Sequence, residues 1–195
     1  TENFHLSVEI SPKNICYSFL NIENLEFIFF KSISVSEISE LVNHISSEDK
    51  LKLNYSTSSI SYKNFPSTII PNKLFDTEKK HKYLEFVVEG IESVKTDILH
   101  QSDSSIIYSI NHDLENIIHQ ILPNIKEKNS TNIAICQLLK QYSHLKKKTC
   151  YLFINTNKIE IIVIENGKLI FQNSFKVSNS SDILYFTLFC LDQLN

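Results

Sequence analysis

The chain has 195 residues, of which 42% are hydrophobic and 21% are charged, and its formal net charge is −3. These values are typical of a globular protein that can bury a core. The chain contains no arginine, so it lacks the side chain that binds phosphates and guanine edges in a bidentate manner. A weakly acidic chain of this kind excludes binding to nucleic acid driven by charge, and we expect no nucleic-acid partner.

Membrane insertion and disulfide chemistry are also not expected. The longest apolar stretch, residues 183–191, is too short to span a bilayer, and no secretory signal precedes Phe4. We therefore expect no membrane partner and a cytoplasmic protein. The cysteines lack the paired spacing of a disulfide or zinc framework, and most lie in apolar segments. They are Cys16, Cys136, Cys150 and Cys190.

Three strands and a helix are the first elements predicted in chain order. The runs FHLSVEI, ICYSFLNI and LEFIFFKSI have the apolar content and alternation of strands that are buried on one face. The turns between them begin at Ser11 and at Glu23. A helix is predicted over 35–46, where Ser34 and Glu37 can form a capping box.

The middle of the chain mixes strands and helices. Residues 51–71 predict two or three strands, interrupted at Pro66 and ended at Pro71. Further strands are predicted over 94–99 and 105–110. Capping residues followed by apolar faces predict three helices, which begin at Asp76, at Asn111, and at Ser130 or Thr131.

The end of the chain repeats the order of its beginning. The runs TCYLFI, IEIIVIE and KLIFQNSFKV predict three further strands, with turns that begin at Asn155 and at Asn166. Asn166-Gly167 is the strongest hairpin signal in the sequence. The helix that follows, 181–194, is apolar on nearly all sides and should be buried on most of them. A repeated unit of this kind indicates a duplicated architecture.

These patterns resemble known proteins. A three-stranded meander followed by a helix opens ribonuclease H-like domains, and two such halves form the actin, sugar kinase and Hsp70 superfamily. The stretches STIIPNKLFDTEKKHKYLEF (67–86) and ENGKLIFQNSFKVSNSSDILYFTLFCLDQL (165–194) resemble a bacteroidete family of unknown function with an actin-like ATPase fold. The resemblance implies an α/β protein with two ribonuclease H-like halves, 1–148 and 149–195. It also implies that the second half is shortened at its C-terminus.

The same resemblance indicates where a nucleotide would bind. In actin-like ATPases, the hairpin that joins the first two strands of each half cradles phosphate through an Asp and glycine-rich backbone. Here the two turns, SPKN (11–14) and NTNK (155–158), contain no glycine, and Pro12 removes an N–H donor. Glu9 is a weak candidate for the metal-binding carboxylate. The remaining weak phosphate-facing candidates are Ser11, Lys13, Asn14, Thr156 and Lys158.

Two other kinds of site were considered from residue types. A two-metal nuclease would need a carboxylate cluster, for which the candidates are Glu9, Glu37 or Glu40, and Asp97 or Asp103. His112, Glu115 and His119 share a helix face at a spacing that could bind a metal ion. A solvated polar face is the favoured interpretation of both sets.

The favoured function is therefore non-catalytic. We expect a protein-interaction module with degenerate phosphate loops and no cofactor, which self-associates or binds a protein partner through its C-terminal helix. The candidate contact residues on that helix are Phe186, Phe189 and Cys190. The alternative is an ATPase that binds Mg-ATP through unconventional phosphate loops.

Overall fold

A computed structural model describes residues 3–194, and it contains eleven strands and five α-helices within that range. Both predicted meanders are present. In chain order the elements are β1 (Phe4–Ser11), β2 (Asn14–Asn21), β3 (Phe27–Ser34), α1 (Ile38–Ser47), β4 (Thr57–Tyr62), β5 (Ser67–Pro71), α2 (Lys80–Glu85), β6 (Ser93–Leu99), β7 (Ser104–Ile110), α3 (His112–Ile121), β8 (Lys126–Asn129), α4 (Ser130–Tyr142), β9 (Thr149–Asn155), β10 (Lys158–Glu165), β11 (Lys168–Lys176) and α5 (Ser180–Gln193).

The chain divides into two compact units, Thr1–Ile133 and Ala134–Asn195, and this division falls within α4. The predicted halves, 1–148 and 149–195, were defined by the sequence repeat and not by compactness. That division stays a prediction. Among the described residues, no helix has the length and apolar character needed to cross a membrane.

The first unit is built on a five-stranded sheet in the order β3-β2-β1-β4-β8. The first three strands are antiparallel, whereas β4 pairs parallel with both β1 and β8. Apolar residues at alternate positions are buried along β1 from Leu6 onwards and in the first half of β2, as the predicted alternation requires. The buried set comprises Leu6, Val8, Ile10, Ile15 and Tyr17.

A smaller antiparallel sheet, in the order β5-β7-β6, also belongs to the first unit. All seven residues of its central strand β7 are buried. Leu84 of α2 packs with Val94 of β6 and Ile107 of β7 in one hydrophobic cluster. The small sheet is therefore a packed part of the first unit and carries its own core.

The second unit contains a three-stranded antiparallel sheet in the order β11-β10-β9. Helix α5 covers one face of this sheet, and its Cys190 is buried with Ile159, Ile161 and Val163 of β10. Asn166 and Gly167 both have positive φ, 51° and 69°, as the type I′ turn predicted from Asn-Gly requires.

The duplication extends to details that the sequence did not reveal. The first hairpins of the two meanders close on the pairs Ser11–Asn14 and Asn155–Lys158. The third strand carries an extra residue at an equivalent place, which is Ile28 in β3 and Ile170 in β11. These shared features confirm the predicted repeat of strand, strand, strand and helix.

Four local predictions differ from the structure. The connection from β2 to β3 is a five-residue loop rather than a two-residue turn, because Leu25 takes a left-handed conformation and the bulge shifts the register. Helix α1 begins at Ile38, with Glu37 as its N-cap. Residues 49–52 form a 3-10 helix rather than a strand. Strand β8 was not predicted, since its sequence KEKN has no apolar residue.

Candidate functional site

The first predicted phosphate turn is a tight hairpin whose polar groups already bind the protein itself. The Ser11 hydroxyl lies 3.4 Å from the Asn14 carbonyl oxygen, and the Asn14 amide donates to the Ile33 carbonyl oxygen at 3.0 Å. The Lys13 carbonyl oxygen accepts from the Val35 backbone N–H, while the Lys13 residue is exposed. Of these residues, Lys13 is the one whose side chain is available for a ligand at this turn.

The second turn repeats that arrangement. The Asn157 carbonyl oxygen accepts from the Val177 backbone N–H at 3.0 Å, the counterpart of the contact at Lys13. Thr156 is exposed, whereas Lys158 is partly buried, and this burial lowers the pKa of its ammonium group. A phosphate site would gain little from a lysine whose charged form is disfavoured.

Neither turn has the backbone conformation of an anion cradle. Successive N–H groups converge on an anion when right-handed and left-handed residues alternate. Positive φ occurs at non-glycine positions elsewhere in the described chain, but residues 12, 13, 156 and 157 do not have it. Pro12 also has no N–H to donate. The turns are ordinary hairpin connections in geometry as well as in sequence.

Glu9, the candidate metal-binding carboxylate, already has a cationic partner. The Lys63 ammonium lies 3.1 Å from Glu9 Oε1, just beyond the end of the parallel neighbour β4. Both side chains are more than one third exposed, so this ion pair contributes little stability. The lysine charge lies where a metal ion would need to bind.

The other candidate nuclease carboxylates do not converge on Glu9. Glu40 accepts from the Ser36 N–H at 2.8 Å, and Glu37 accepts from the Ser39 hydroxyl. Asp97 is buried and accepts from the Asn129 N–H at 2.6 Å, while Asp103 pairs with an asparagine amide at 3.0 Å. Each carboxylate is thus used locally, and no cluster of metal ligands is found within residues 3–194.

The predicted metal-binding face of α3 takes part in an ion cluster instead. Lys95 of β6 bridges Glu115 of α3 at 2.8 Å and Glu127 of β8 at 2.7 Å. Glu127 also pairs with His119 and accepts from the Tyr62 hydroxyl at 2.8 Å. We call Lys95, Glu115, His119, Glu127 and Tyr62 the Lys95 cluster. An internal ammonium group therefore supplies the positive charge that a bound metal ion would have supplied.

Hydrogen bonds set the charge state of this cluster. Burial alone would raise the pKa of Glu127, but hydrogen bonds from Lys95, His119 and Tyr62 outweigh it and hold the pKa below its ordinary value. Burial likewise opposes the charged form of Lys95, and its two carboxylate partners raise its pKa nonetheless. Lys95, Glu115 and Glu127 are consequently stabilised in their charged forms, which suits a structural role better than proton transfer.

Helix α5 exposes a different set of residues from the one predicted. Phe189 is half exposed, but Cys190 is buried and Phe186 packs against the same core. Phe186 stacks on Phe175 with ring centroids 4.5 Å apart. The exposed face is completed by three other apolar residues. These are Leu184, Tyr185 and Leu188.

Comparison with known proteins places the chain in a family. The model of the family described as "Protein of unknown function (DUF3822)" matches residues 1–195. The chain belongs to this family. A search of curated proteins found no match.

Solved structures show the fold of this family member. A protein from Bacteroides thetaiotaomicron, described as having an actin-like ATPase fold and unknown function, is 23% identical, with a TM-score of 0.88 over 99% of this chain and 77% of that chain. The PilM-PilN type IV pilus biogenesis complex matches with a TM-score of 0.54 and 9% identity, over 89% of this chain and 62% of that chain. The predicted actin-like ATPase fold is confirmed.

Sequence reasoning did not find the Lys95 cluster, although it named two of its members. Glu115 and His119 were recognised as one helix face, but Lys95 and Glu127 are distant in sequence and belong to different strands. The available signal was a lysine within the strand predicted over 94–99. A charge in that position requires a partner, and the nearby helix face offers one.

Proposed function

We propose that this member of the family is a non-catalytic protein-interaction module of the actin-like fold, which binds a protein partner or a second copy through α5. The observation that supports the proposal is the outer face of that helix. Leu184 and Leu188 are 60% and 56% exposed, with Tyr185 and Phe189 beside them. Contiguous exposed apolar residues of this kind are typical of interaction sites.

The phosphate turns support the non-catalytic part of the proposal. An actin-like ATPase needs glycine-rich backbone and an acidic residue at these turns, and this chain has Pro12 in one turn and no carboxylate near the other until Glu160. The side chain of Glu160 accepts from Gln172 at 2.8 Å. Lys13 alone could attract phosphate as a point charge. Binding of Mg-ATP by unconventional phosphate loops is the alternative.

The proposal extends to partners and location. A related fold occurs in a protein assembly, the PilM-PilN type IV pilus biogenesis complex. A net charge of −3 without arginine favours a protein partner over nucleic acid. We place this activity in the cytoplasm, in agreement with four cysteines whose spacing is not that of a disulfide framework.

Sedimentation velocity over a concentration series tests the proposal. We expect the wild-type chain to self-associate as its concentration rises, and the double variant Leu184→Ser/Leu188→Ser to remain monomeric. Serine is polar, as is Ser46, the exposed counterpart of Leu188 in the equivalent helix α1. Far-UV circular dichroism should show the same helix content in both proteins.

The control is Leu74→Ser, which removes a leucine that is 70% exposed from the first unit. This variant should self-associate as the wild type does. A wild-type chain that stays monomeric at high concentration, and that captures no partner dependent on Leu184 and Leu188, contradicts the proposal.

A further inference from the structure

The duplicated meander allows each residue of the second unit to be compared with its counterpart in the first. The hairpin closures align Ser11 with Asn155, so Val8 and Ile10 of β1 correspond to Leu152 and Ile154 of β9. Val8 and Ile10 are 4% and 1% exposed, whereas Leu152 and Ile154 are 40% and 59% exposed. The apolar pattern is the same in both strands, but only the first unit buries it.

The neighbour that β1 has and β9 lacks explains this difference. In the first unit, β4 pairs parallel with β1 and buries Ile60 and Tyr62. In the second unit, β9 is the edge strand of its sheet. An unpaired edge with exposed apolar side chains is a template for another strand. The first unit shows that a parallel strand fits this type of edge.

The same comparison shows which backbone N–H and C=O groups of β9 point to its free edge. The Lys63 and Ser56 N–H groups donate to the carbonyl oxygens of Ile10 and Phe4, so the even-numbered residues of β1 face β4. Antiparallel pairing alternates the direction of successive backbone groups. In β9, Cys150, Leu152 and Ile154 therefore direct their N–H and C=O groups to the open side.

Helix α5, like β9, exposes apolar residues where its counterpart in the first unit does not. The Ser36 N–H donates to the Glu40 carboxylate at the start of α1, and the Ser178 N–H donates to the Asp182 carboxylate at the start of α5. These equivalent hydrogen bonds fix the alignment of the two helices. The exposed positions of α1 at Asn43, Ser46 and Ser47 are polar. The corresponding positions of α5 are apolar and exposed, namely Tyr185, Leu188 and Phe189.

We infer that the open side of the second unit, formed by the free edge of β9 and the outer face of α5, is a docking site for a strand–helix segment from outside residues 1–195. The strand adds parallel to β9 with apolar side chains towards Leu152 and Ile154. An amphipathic helix packs on Leu184 and Leu188. This inference rests on the proposed function and adds the chemistry of the partner.

The first unit favours this occupant over a second copy. There the equivalent strand is covered by β4, and α1 packs against the amphipathic helix α3. A second copy would offer an edge strand that already belongs to a sheet, such as its own β9 or β3, rather than a free strand–helix segment. The Bacteroides thetaiotaomicron protein is matched over only 77% of its length, so it contains sequence that can serve as a probe.

Amide hydrogen exchange with that probe tests the inference. The probe is the longest stretch of the Bacteroides thetaiotaomicron protein that lies outside the match, added as a separate peptide to the full 195-residue chain. We expect saturable binding that slows exchange at Cys150, Leu152 and Ile154 by about tenfold or more. Tyr151 and Phe153 bond to β10 and should already be protected in the free chain.

Two variants at Ile154 separate strand addition from simple apolar contact. Ile154→Pro removes an outward N–H that β10 does not use, so the hairpin should still fold while the probe binds about tenfold more weakly or worse. Ile154→Ala keeps the N–H and should weaken binding less. Equal binding by the wild type and Ile154→Pro, or no binding of the probe, overturns the inference.

The remaining outcomes identify which proposal fails. Protection of the three outward amides on concentrating the chain without the probe identifies a second copy as the occupant and overturns the inference. A third outcome is that the wild type binds the probe without protection of the β9 amides, while Leu184→Ser/Leu188→Ser does not bind it. This result overturns strand addition and leaves the proposed function standing. The proposed function itself is judged by the sedimentation of that double variant.

Discussion

At the scale of single residues, Lys95 holds three elements of the first unit together. Its side chain is 16% exposed and lies between carboxylates that are equally shielded. Removing one partner of a shielded ion cluster leaves the others charged without compensation. Loss of Lys95 should therefore destabilise the protein, because the carboxylates that remain lose their positive partner.

We expect Lys95→Met to reduce the free energy of unfolding at pH 7 by about 3–5 kcal/mol. The wild-type pKa values of Glu115 and Glu127 lie below the ordinary 4.5, so their stabilisation is present above pH 4.5 and is lost as the pH falls. Without Lys95, fewer interactions oppose the effect of burial on both pKa values, so the stability that the wild type gains as the pH rises is reduced in the variant. Urea unfolding at pH 4 and pH 7 should show the larger difference at pH 7.

The control for this measurement is Lys63→Met, which removes the exposed partner of Glu9. Its effect should not exceed about 1 kcal/mol. Similar losses in the two variants would show that the Lys95 cluster contributes no more than a surface ion pair.

Asp97 offers an independent test, because burial raises the pKa of its carboxyl group despite the hydrogen bond from Asn129 N–H. Its stabilisation is present at low pH and decreases as the pH rises through the folded-state pKa. Asp97→Asn keeps an acceptor and should be at least as stable as the wild type at pH 7. Asp97→Ala should lose about 1–3 kcal/mol, and thermal unfolding of the three proteins measures both effects.

At the scale of elements, the hairpin of β10 and β11 depends on a close backbone approach. An added Cβ at Gly167 would lie 2.9 Å from the Ser143 carbonyl oxygen, whereas Gly90 has nothing within 4 Å. Both glycines have similar positive φ, 69° and 70°. A side chain would therefore be strained at both positions, but only at Gly167 would it also meet neighbouring backbone atoms.

We expect Gly90→Ala to cost about 1–2 kcal/mol from strain alone. Gly167→Ala should cost more, because the Ser143 backbone must also move. Chemical denaturation of the two variants gives the difference, and equal losses would show that the turn relaxes away from Ser143 at no cost.

The elements that could be predicted are those in which local pattern and burial agree. Strands β1, β2, β9 and β10 alternate or are strongly apolar, and their hairpin turns sit between them. Strand β8 was missed because KEKN joins the sheet edge through backbone bonds to β4, with Asn129 as its buried residue. The loop at 22–26 was missed because a bulge in β3 is invisible in the hydrophobic pattern.

The candidate sites were harder to predict, since they depend on distant residues. Helix α5 is apolar all round, so the sequence could not say that Phe186 and Cys190 face inward. The Lys95 cluster joins residues from β4, β6, α3 and β8. The lack of glycine in the phosphate turns could be predicted to matter, because it follows from the residue types in two short segments.

At the scale of the whole molecule, the fold is that of actin-like ATPases, and the two features that would make it bind nucleotide are altered. The phosphate turns lack glycine and left-handed backbone, and the candidate carboxylate Glu9 is paired with Lys63. Exposed apolar side chains occur on α5 and β9 of the second unit, and also on β3 of the first. These features support the proposal that contact with another polypeptide has replaced nucleotide chemistry in this protein.

Isothermal titration calorimetry with Mg-ATP tests this claim most directly. We expect no binding tighter than about 1 mM, a free energy of roughly −4 kcal/mol, because neither turn presents converging N–H donors to a phosphate. A thermal melt in the same buffer should be unchanged, whereas a ligand at a hundredfold its Kd would stabilise by about 2.7 kcal/mol. Micromolar affinity for Mg-ATP, reduced by Lys13→Met or Lys158→Met, would contradict the account and favour the ATPase alternative.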